Sequence, residues 1–89
     1  MSYEIELHKS VAKFLKKQDK DFLKRVDFAF EKLSQNPFNF KELDIKMLEG
    51  SEKDYRLRDG KYRFIYTVFE NRLIIYVYDA GSRGDVYKS

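Results

Sequence analysis

Arginine residues that could bind a phosphodiester are concentrated in one short stretch of the sequence. Arg56 and Arg58 lie two residues apart in an alternating segment. Arg63 follows closely, after an Asp59-Gly60 pair that is typical of a β-hairpin turn. Because residues two apart on a strand share a face, a tight hairpin would bring the three guanidinium groups together on one face of a sheet. Like charges opposed in this way repel each other, and binding of a phosphodiester would relieve the repulsion.

An ordinary solvated face is the alternative for the same arginines. Arg56 and Arg58 would then form ion pairs with three nearby carboxylates: Glu52, Asp54 and Asp59. The chain carries 18 lysines and arginines against 15 aspartates and glutamates, a net charge of +3, and such a charge-rich surface also suits a thermostable protein. However, five of the six arginines lie after residue 50, whereas nine of the twelve lysines lie before it. Arginine binds phosphate bidentately, so this distribution favours an anionic partner for the C-terminal half.

The C-terminal tail is a second candidate for chemistry. It combines two glycines with Arg83 and Tyr87. An aromatic ring held beside basic residues can stack on an unpaired base, which is worth about 1–3 kcal/mol per base. The alternative is a frayed terminus in which Tyr87 only covers the edge of the core. If the nucleic acid is RNA, Lys53 and Lys61 are further cations that we expect to bind it.

Several kinds of chemistry are excluded by composition. The chain has no cysteine, so disulfides, thiolate metal sites and cysteine nucleophiles are absent, and its single histidine, His8, is expected to be structural or on the surface. No D-x-D or similar carboxylate spacing, of the kind that a metal-dependent nuclease needs, accompanies the arginines, so we expect no metal and no cofactor. A nuclease of this composition would use the 2′-OH of RNA as the nucleophile and cations to stabilise the phosphorane.

Two amphipathic helices are predicted in the first half of the chain. Val11, Phe14 and Leu15 have helical spacing, with Ser10 as the predicted N-cap. After a break at about Asp19, a longer apolar stripe runs from Phe22 to Leu33, and Asn36-Pro37 ends the second helix.

No apolar run approaches the roughly 18–20 residues of a membrane span, and no signal pattern is present, so we expect a cytoplasmic protein without a membrane partner.

Alternating apolar residues predict the strands. Their expected positions are Tyr3–Leu7, Ile45–Leu48, Tyr55–Arg58, Tyr62–Phe69 and Leu73–Tyr78. The last strand is apolar on both faces, which is typical of an interior strand. The expected fold is therefore α+β: β-α-α followed by a three- or four-stranded antiparallel meander, with the helical hairpin packed on one sheet. We expect residues 1–89 to form a single domain.

Three segments together resemble the RelE toxins of the RelE/ParE superfamily. They are Leu48-Glu49-Gly50 with Tyr55-Arg56-Leu57-Arg58, then Gly60-Lys61-Tyr62-Arg63-Phe64-Ile65-Tyr66, and finally Gly81-Ser82-Arg83-Gly84-Asp85-Val86-Tyr87. The similarity covers essentially the whole chain. It implies a RelE-like fold and an mRNA interferase that cuts messenger RNA in the ribosomal A site. It also implies a RelB-like antitoxin as the partner that neutralises the toxin.

The resemblance also implies roles for individual residues. Arg56 and Arg58 correspond to the two basic residues of the first meander strand, and Arg63 to the arginine that stabilises the transition state. Arg83 corresponds to the tail arginine, and Tyr87 to the tyrosine that stacks on a base and takes part in catalysis. Lysines are usual at the first two positions. Arginine is a poorer general base than lysine because it keeps its proton above about pH 12, but it binds phosphate well.

A different class of function is implied by the ParE branch of the same superfamily. A ParE-like toxin inhibits DNA gyrase by binding it and has no nuclease activity. That branch generally lacks the basic residues together with the terminal tyrosine. The five residues assigned above, all present here, favour RNA cleavage.

Overall fold

The computed structural model describes residues 2–82 and contains two helices and five strands. In chain order the elements are β1 (Glu4–Leu7), α1 (Lys9–Lys16), α2 (Lys20–Gln35), β2 (Asp44–Met47), β3 (Asp54–Asp59), β4 (Tyr62–Phe69) and β5 (Ile74–Ser82). Most predicted boundaries agree within one or two residues. The exception is β5, which continues to Ser82, four residues beyond its expected end.

The five strands form one sheet in the order β1-β5-β4-β3-β2. Strands β2 to β5 are an antiparallel meander, while β1 pairs in parallel with β5. The expected α+β fold with a meander is confirmed, and the meander has four strands. Strand β5 lies between β1 and β4, as its apolar residues on both faces predict. The parallel pair needs a crossover between its strands, and α1 and α2 lie within that connection.

Both helices begin at residues that accept a hydrogen bond from the first turn. Asp19 is the N-cap of α2, where its carboxylate accepts from the backbone N–H of Phe22 at 2.8 Å. The prediction of Ser10 as the cap of α1 is wrong, because the helix begins one residue before it. His8 is the cap instead: it has extended backbone, and its ring Nδ1 accepts from the backbone N–H of Ser10 at 3.1 Å. His8 therefore has the structural role expected of it.

The core lies between the two helices and one face of the sheet. Its buried members on the helices are Val11, Phe22, Val26, Ala29 and Leu33, and on the sheet they include Leu57, Phe64, Tyr66 and Val77. The ring of Phe14 on α1 packs edge-on against Phe64 at a centroid distance of 6.3 Å. Each fully buried side chain of this size contributes about 1.5–3 kcal/mol to folding. Within residues 2–82, neither helix is long and apolar enough to cross a membrane.

One buried hydrogen bond ties the sheet to the end of α2. The hydroxyl group of Tyr66, which is fully buried, donates to the backbone carbonyl of Pro37 at 2.8 Å. Burial raises the pKa of this hydroxyl well above its usual range, so it remains a donor at all working pH values. The bond fixes the chain where it leaves α2 and turns toward β2.

We expect Tyr66→Phe to lower the free energy of unfolding by about 1–3 kcal/mol, because the buried carbonyl of Pro37 loses its donor. Tyr62→Phe removes the same atom from a ring that packs against Phe22 but whose hydroxyl donates no hydrogen bond within residues 2–82. That control should change stability by less than about 0.5 kcal/mol. Urea denaturation of both variants tests the difference, and equal losses would contradict it.

Candidate functional site

The β3–β4 hairpin brings the three arginines onto one face of the sheet. Arg58 lies directly opposite Arg63 in the strand pair, and Arg56 lies two residues farther along β3, opposite Ile65. The turn between the strands contains Gly60, whose φ of 63° suits glycine. The expected grouping of the guanidinium-bearing residues is therefore confirmed. This face is opposite to the one on which the helices pack, and we call it the arginine face.

Two of the three arginines are buried rather than solvated. Arg63 is 2% exposed and Arg56 is 8% exposed, while Arg58 is half-buried. The Nε atoms of Arg56 and Arg63 lie out of contact with solvent. Arginine is rarely buried to this extent, since removing its charge from water is costly. The alternative of a fully solvated arginine face therefore does not hold for these two residues.

The carboxylate of Asp44, on β2, forms ion pairs with Arg58 and Arg56. Its Oδ2 accepts from Nε of Arg58 at 2.8 Å, and its Oδ1 accepts from Nη2 of Arg56 at 3.3 Å. The hydrogen bond from Arg58 is the largest effect on the pKa of Asp44 and lowers it. Burial opposes this effect, but the positive charges of Arg58 and Arg56 and the hydrogen bond from Arg56 also lower the pKa, so the net shift is downward. Asp44 is thus ionised at neutral pH.

The carboxylates named as partners in the solvated alternative have other roles. Asp59 pairs with Arg25 of α2, and Asp54 accepts a hydrogen bond from the hydroxyl of Ser51 at 2.7 Å. Glu52 is in no ion pair within the part of the chain that the structure describes. The alternative that Arg56 and Arg58 form ion pairs is therefore correct, but the carboxylates predicted as their partners are wrong.

A cavity of about 370 Å³ lies beside Arg56 and Arg63, whereas Arg58 does not line it. Its lining residues are Lys46, Met47, Leu48, Glu49, Arg56 and Arg63. The volume is within the range of small-ligand sites. Three of the lining side chains are cationic and one is a carboxylate, so the cavity favours an anion such as a phosphodiester.

The remaining predicted site residues are not part of this cavity. Lys53 is exposed just before β3, and Lys61 is exposed in the β3–β4 turn, with its Nζ 5.7 Å from the centre of the Tyr62 ring. Neither lysine lines the cavity. Arg83 and Tyr87 lie outside the described residues. Their assignments remain predictions.

Three charged residues of the site were missed by sequence reasoning: Asp44, Lys46 and Glu49. The sequence contains a pattern that could have identified Asp44 and Lys46, because they lie two residues apart on β2, as Arg56 and Arg58 do on β3. The strand pair places Asp44 opposite Arg58 and Lys46 opposite Arg56. Glu49 follows β2 and reaches the cavity from a turn. Among residues 2–82, no group of three or more His, Cys, Asp or Glu side chains could hold a metal ion.

Comparison with known proteins identifies the class. Residues 5–87 match the family model of the ParE toxin of the parDE type II toxin–antitoxin system. The chain therefore belongs to this family of type II toxins. It is also 37% identical to RelE1 of Methanocaldococcus jannaschii over 89 residues, which is 100% of this chain and 99% of the relative. The predicted resemblance to RelE toxins is confirmed.

Solved structures agree with this assignment. The archaeal RelE–RelB complex from Pyrococcus horikoshii OT3 contains a chain that is 31% identical, with a TM-score of 0.84 over 94% of this chain and 98% of that one. The RelB–RelE antitoxin–toxin complex from Methanococcus jannaschii contains a chain that is 25% identical, with a TM-score of 0.75 over 93% and 95% of the two chains. The protein is thus similar to RelE toxins in sequence and in fold.

The burial of the arginines can be measured directly. We expect the Nε–H protons of Arg56 and Arg63 to exchange with solvent at least about tenfold more slowly than that of Arg72, which lies in an exposed turn. Side-chain ¹⁵N NMR at mildly acidic pH resolves these protons. Similar exchange rates for all three would contradict the burial described here.

Proposed function

We propose that this toxin is a metal-independent endoribonuclease that cleaves messenger RNA in the A site of the ribosome. The observation that carries the proposal is the grouping of Arg56, Arg58 and Arg63 on one sheet face, with a cation-lined cavity beside two of them. In the proposed reaction, the 2′-oxygen of the RNA attacks the adjacent phosphorus, and the bond from phosphorus to the 5′-oxygen breaks. The 2′-OH loses its proton, and the leaving 5′-oxygen gains one.

Arg63 is proposed to stabilise the negative charge that develops on the phosphorane. Its burial supports this role, because a cation in a site with little water interacts more strongly with developing charge. Arg56 and Arg58 are proposed to hold the phosphodiester. The exposed Lys53 and Lys61 suit contacts with neighbouring phosphates of the RNA strand.

The tail is proposed to complete the site. By resemblance, Arg83 contributes a further positive charge, and Tyr87 stacks on a base and takes part in proton transfer. These two assignments rest on sequence similarity alone. A stacking ring would add about 1–3 kcal/mol per base to RNA binding.

The ribosome is proposed to supply the orientation that the cleavage needs. Arginine does not give up its proton at neutral pH, and the pKa of Asp44 is lowered, so neither is a good general base. Correct alignment of the 2′-OH for in-line attack can lower a barrier by several kcal/mol on its own. We therefore expect weak activity on naked RNA.

The proposed partner that neutralises the toxin is a RelB-like antitoxin in the same cytoplasm. Support comes from the solved relatives, which are RelE chains in complex with RelB. The described chain also has apolar side chains that an antitoxin segment could cover. The most exposed are Phe28 on α2 at 63%, Phe40 at 54% and Met47 at 49%.

Inhibition of DNA gyrase is the second candidate function, and the name of the matching family model favours it. A ParE-like inhibitor would act by binding alone and would not need buried arginines beside an anion-sized cavity. A supercoiling assay with purified gyrase distinguishes the two. Inhibition of gyrase, together with no cleavage of messenger RNA on ribosomes, would favour this second function.

We expect Arg63→Lys to reduce ribosome-dependent cleavage by about 100-fold or more, because lysine keeps the charge but loses the planar fork. The measurement is the rate of messenger RNA cleavage on ribosomes programmed with a defined A-site codon. The matched control is Arg72→Lys in an exposed turn, which should cleave at the parental rate. Thermal unfolding and antitoxin binding of both variants report on the fold. A folded Arg63→Lys protein that retains activity within a few-fold would contradict the assignment.

The proposed mechanism also determines the ends of the RNA products. Attack by the 2′-OH leaves a 2′,3′-cyclic phosphate or a 3′-phosphate on one fragment and a 5′-hydroxyl on the other. We expect these ends, and we expect cleavage to persist when EDTA is added at a level that leaves the ribosomes intact. Mass spectrometry of the fragments is the test, and a 3′-hydroxyl end would rule the mechanism out.

A further inference from the structure

We propose that Asp44 is a positioning residue, which orients the guanidinium groups of Arg58 and Arg56 toward the RNA phosphate. The inference rests on the proposed function, since it concerns the same site. Its starting point is that one carboxylate bridges two arginines, with a contact of 2.8 Å to Arg58 and of 3.3 Å to Arg56. The sequence resemblance gives no role to this residue.

The contact between Asp44 and Arg58 leaves the two terminal nitrogens of the Arg58 guanidinium group available to a ligand. Asp44 binds Nε of Arg58, and no ion pair or hydrogen bond engages the two terminal nitrogens of Arg58 within residues 2–82. Those nitrogens form the end of the fork that binds a phosphate with two parallel hydrogen bonds. The carboxylate therefore fixes the rotation of the fork without occupying that end.

The contact between Asp44 and Arg56 connects Arg58 to the cavity. Asp44 accepts from Nη2 of Arg56, and Arg56 lines the cavity together with Arg63. The buried Nε of Arg56 has no hydrogen-bond partner among the described residues, so Asp44 is the acceptor that restrains this side chain. One carboxylate thus couples the half-exposed Arg58 to the buried part of the site.

The strand register explains why a carboxylate is needed here. Asp44, Arg58 and Arg63 lie directly opposite one another across β2, β3 and β4, so two like charges are adjacent in the row. Adjacent like charges repel each other, and a flexible side chain would turn away from its neighbour. Asp44 lies on the opposite side of Arg58 from Arg63, and its ion pair keeps the Arg58 side chain in place. A role as the general base fits poorly, because both carboxylate oxygens are engaged and the pKa of Asp44 is lowered.

A positioning role predicts opposite effects on binding and on rate. Asp44→Asn removes a negative charge from the arginine face, so RNA phosphates are attracted more strongly. The same change releases the two guanidinium groups from their fixed orientation, so the bound phosphodiester is aligned less well. A merely structural role would instead weaken binding and cleavage together.

The experiment compares Asp44→Asn with Asp44→Glu and with the parent protein. Affinity is measured by fluorescence anisotropy with a fully 2′-O-methylated RNA, which cannot be cleaved, and rate by single-turnover cleavage of messenger RNA on ribosomes at saturating toxin. For Asp44→Asn we expect affinity to rise about threefold and the rate to fall about tenfold or more. Asp44→Glu keeps the charge on a half-exposed side chain and should recover most of the rate.

The matched control is Asp27→Asn, which makes the same change of charge on the exposed surface of α2, a helix that packs on the other face of the sheet. It should leave the rate unchanged. A parental rate for Asp44→Asn, or a loss of affinity and rate in proportion to a lower melting temperature, would overturn the role of Asp44 alone. Absence of cleavage by the parent protein would overturn the proposed function, and the positioning role with it.

Discussion

Burial of two guanidinium groups on the arginine face is a cost that the packing of the fold has to offset. Removing an arginine from water costs several kcal/mol unless hydrogen bonds and opposite charges compensate. Arg63 is nevertheless 2% exposed and Arg56 is 8% exposed. The aromatic and aliphatic core between the helices and the opposite sheet face supplies stability that offsets the cost of this burial. The two faces of one sheet thus differ: one forms the core, and the other carries the arginines of the proposed site.

The same strand register serves both faces. Leu57 and Phe64 are paired toward the core, while their neighbours Arg58 and Arg63 are paired toward the arginine face. A slip of one residue would turn the arginines into the core and the apolar residues toward the site, so the apolar packing also protects the arrangement of the arginines. The two-residue turn at Gly60-Lys61 sets that register locally.

Local patterns were sufficient to predict most of the fold and part of the site. Alternation along β3 and β4 and the turn signal between them predicted that Arg56, Arg58 and Arg63 share a face. The parallel pairing of β1 with β5 could not be predicted, because it joins residues 70 positions apart, such as Glu4 and Ile74, and depends on how the helices cross the sheet. Asp44 was missed for a similar reason. The carboxylates expected to pair with Arg58 lie close to it in the sequence, whereas the observed ion pair joins residues 14 positions apart through the pairing of β2 with β3.

The chemistry of the arginine face has a consequence for its pH dependence. Arginine keeps its proton throughout the range in which proteins remain folded, and Asp44 loses its charge only below the usual range of an aspartate because its pKa is lowered. The attraction between the Asp44 carboxylate and its arginines, which is present above the pKa of an unfolded aspartate, therefore weakens only in acid. Across neutral pH the carboxylate of Asp44 therefore keeps its charge. In the proposed reaction, the arginine face would therefore hold the phosphodiester over a wide pH range. The proton that leaves the 2′-OH would go to a group other than Asp44, Arg56 and Arg58.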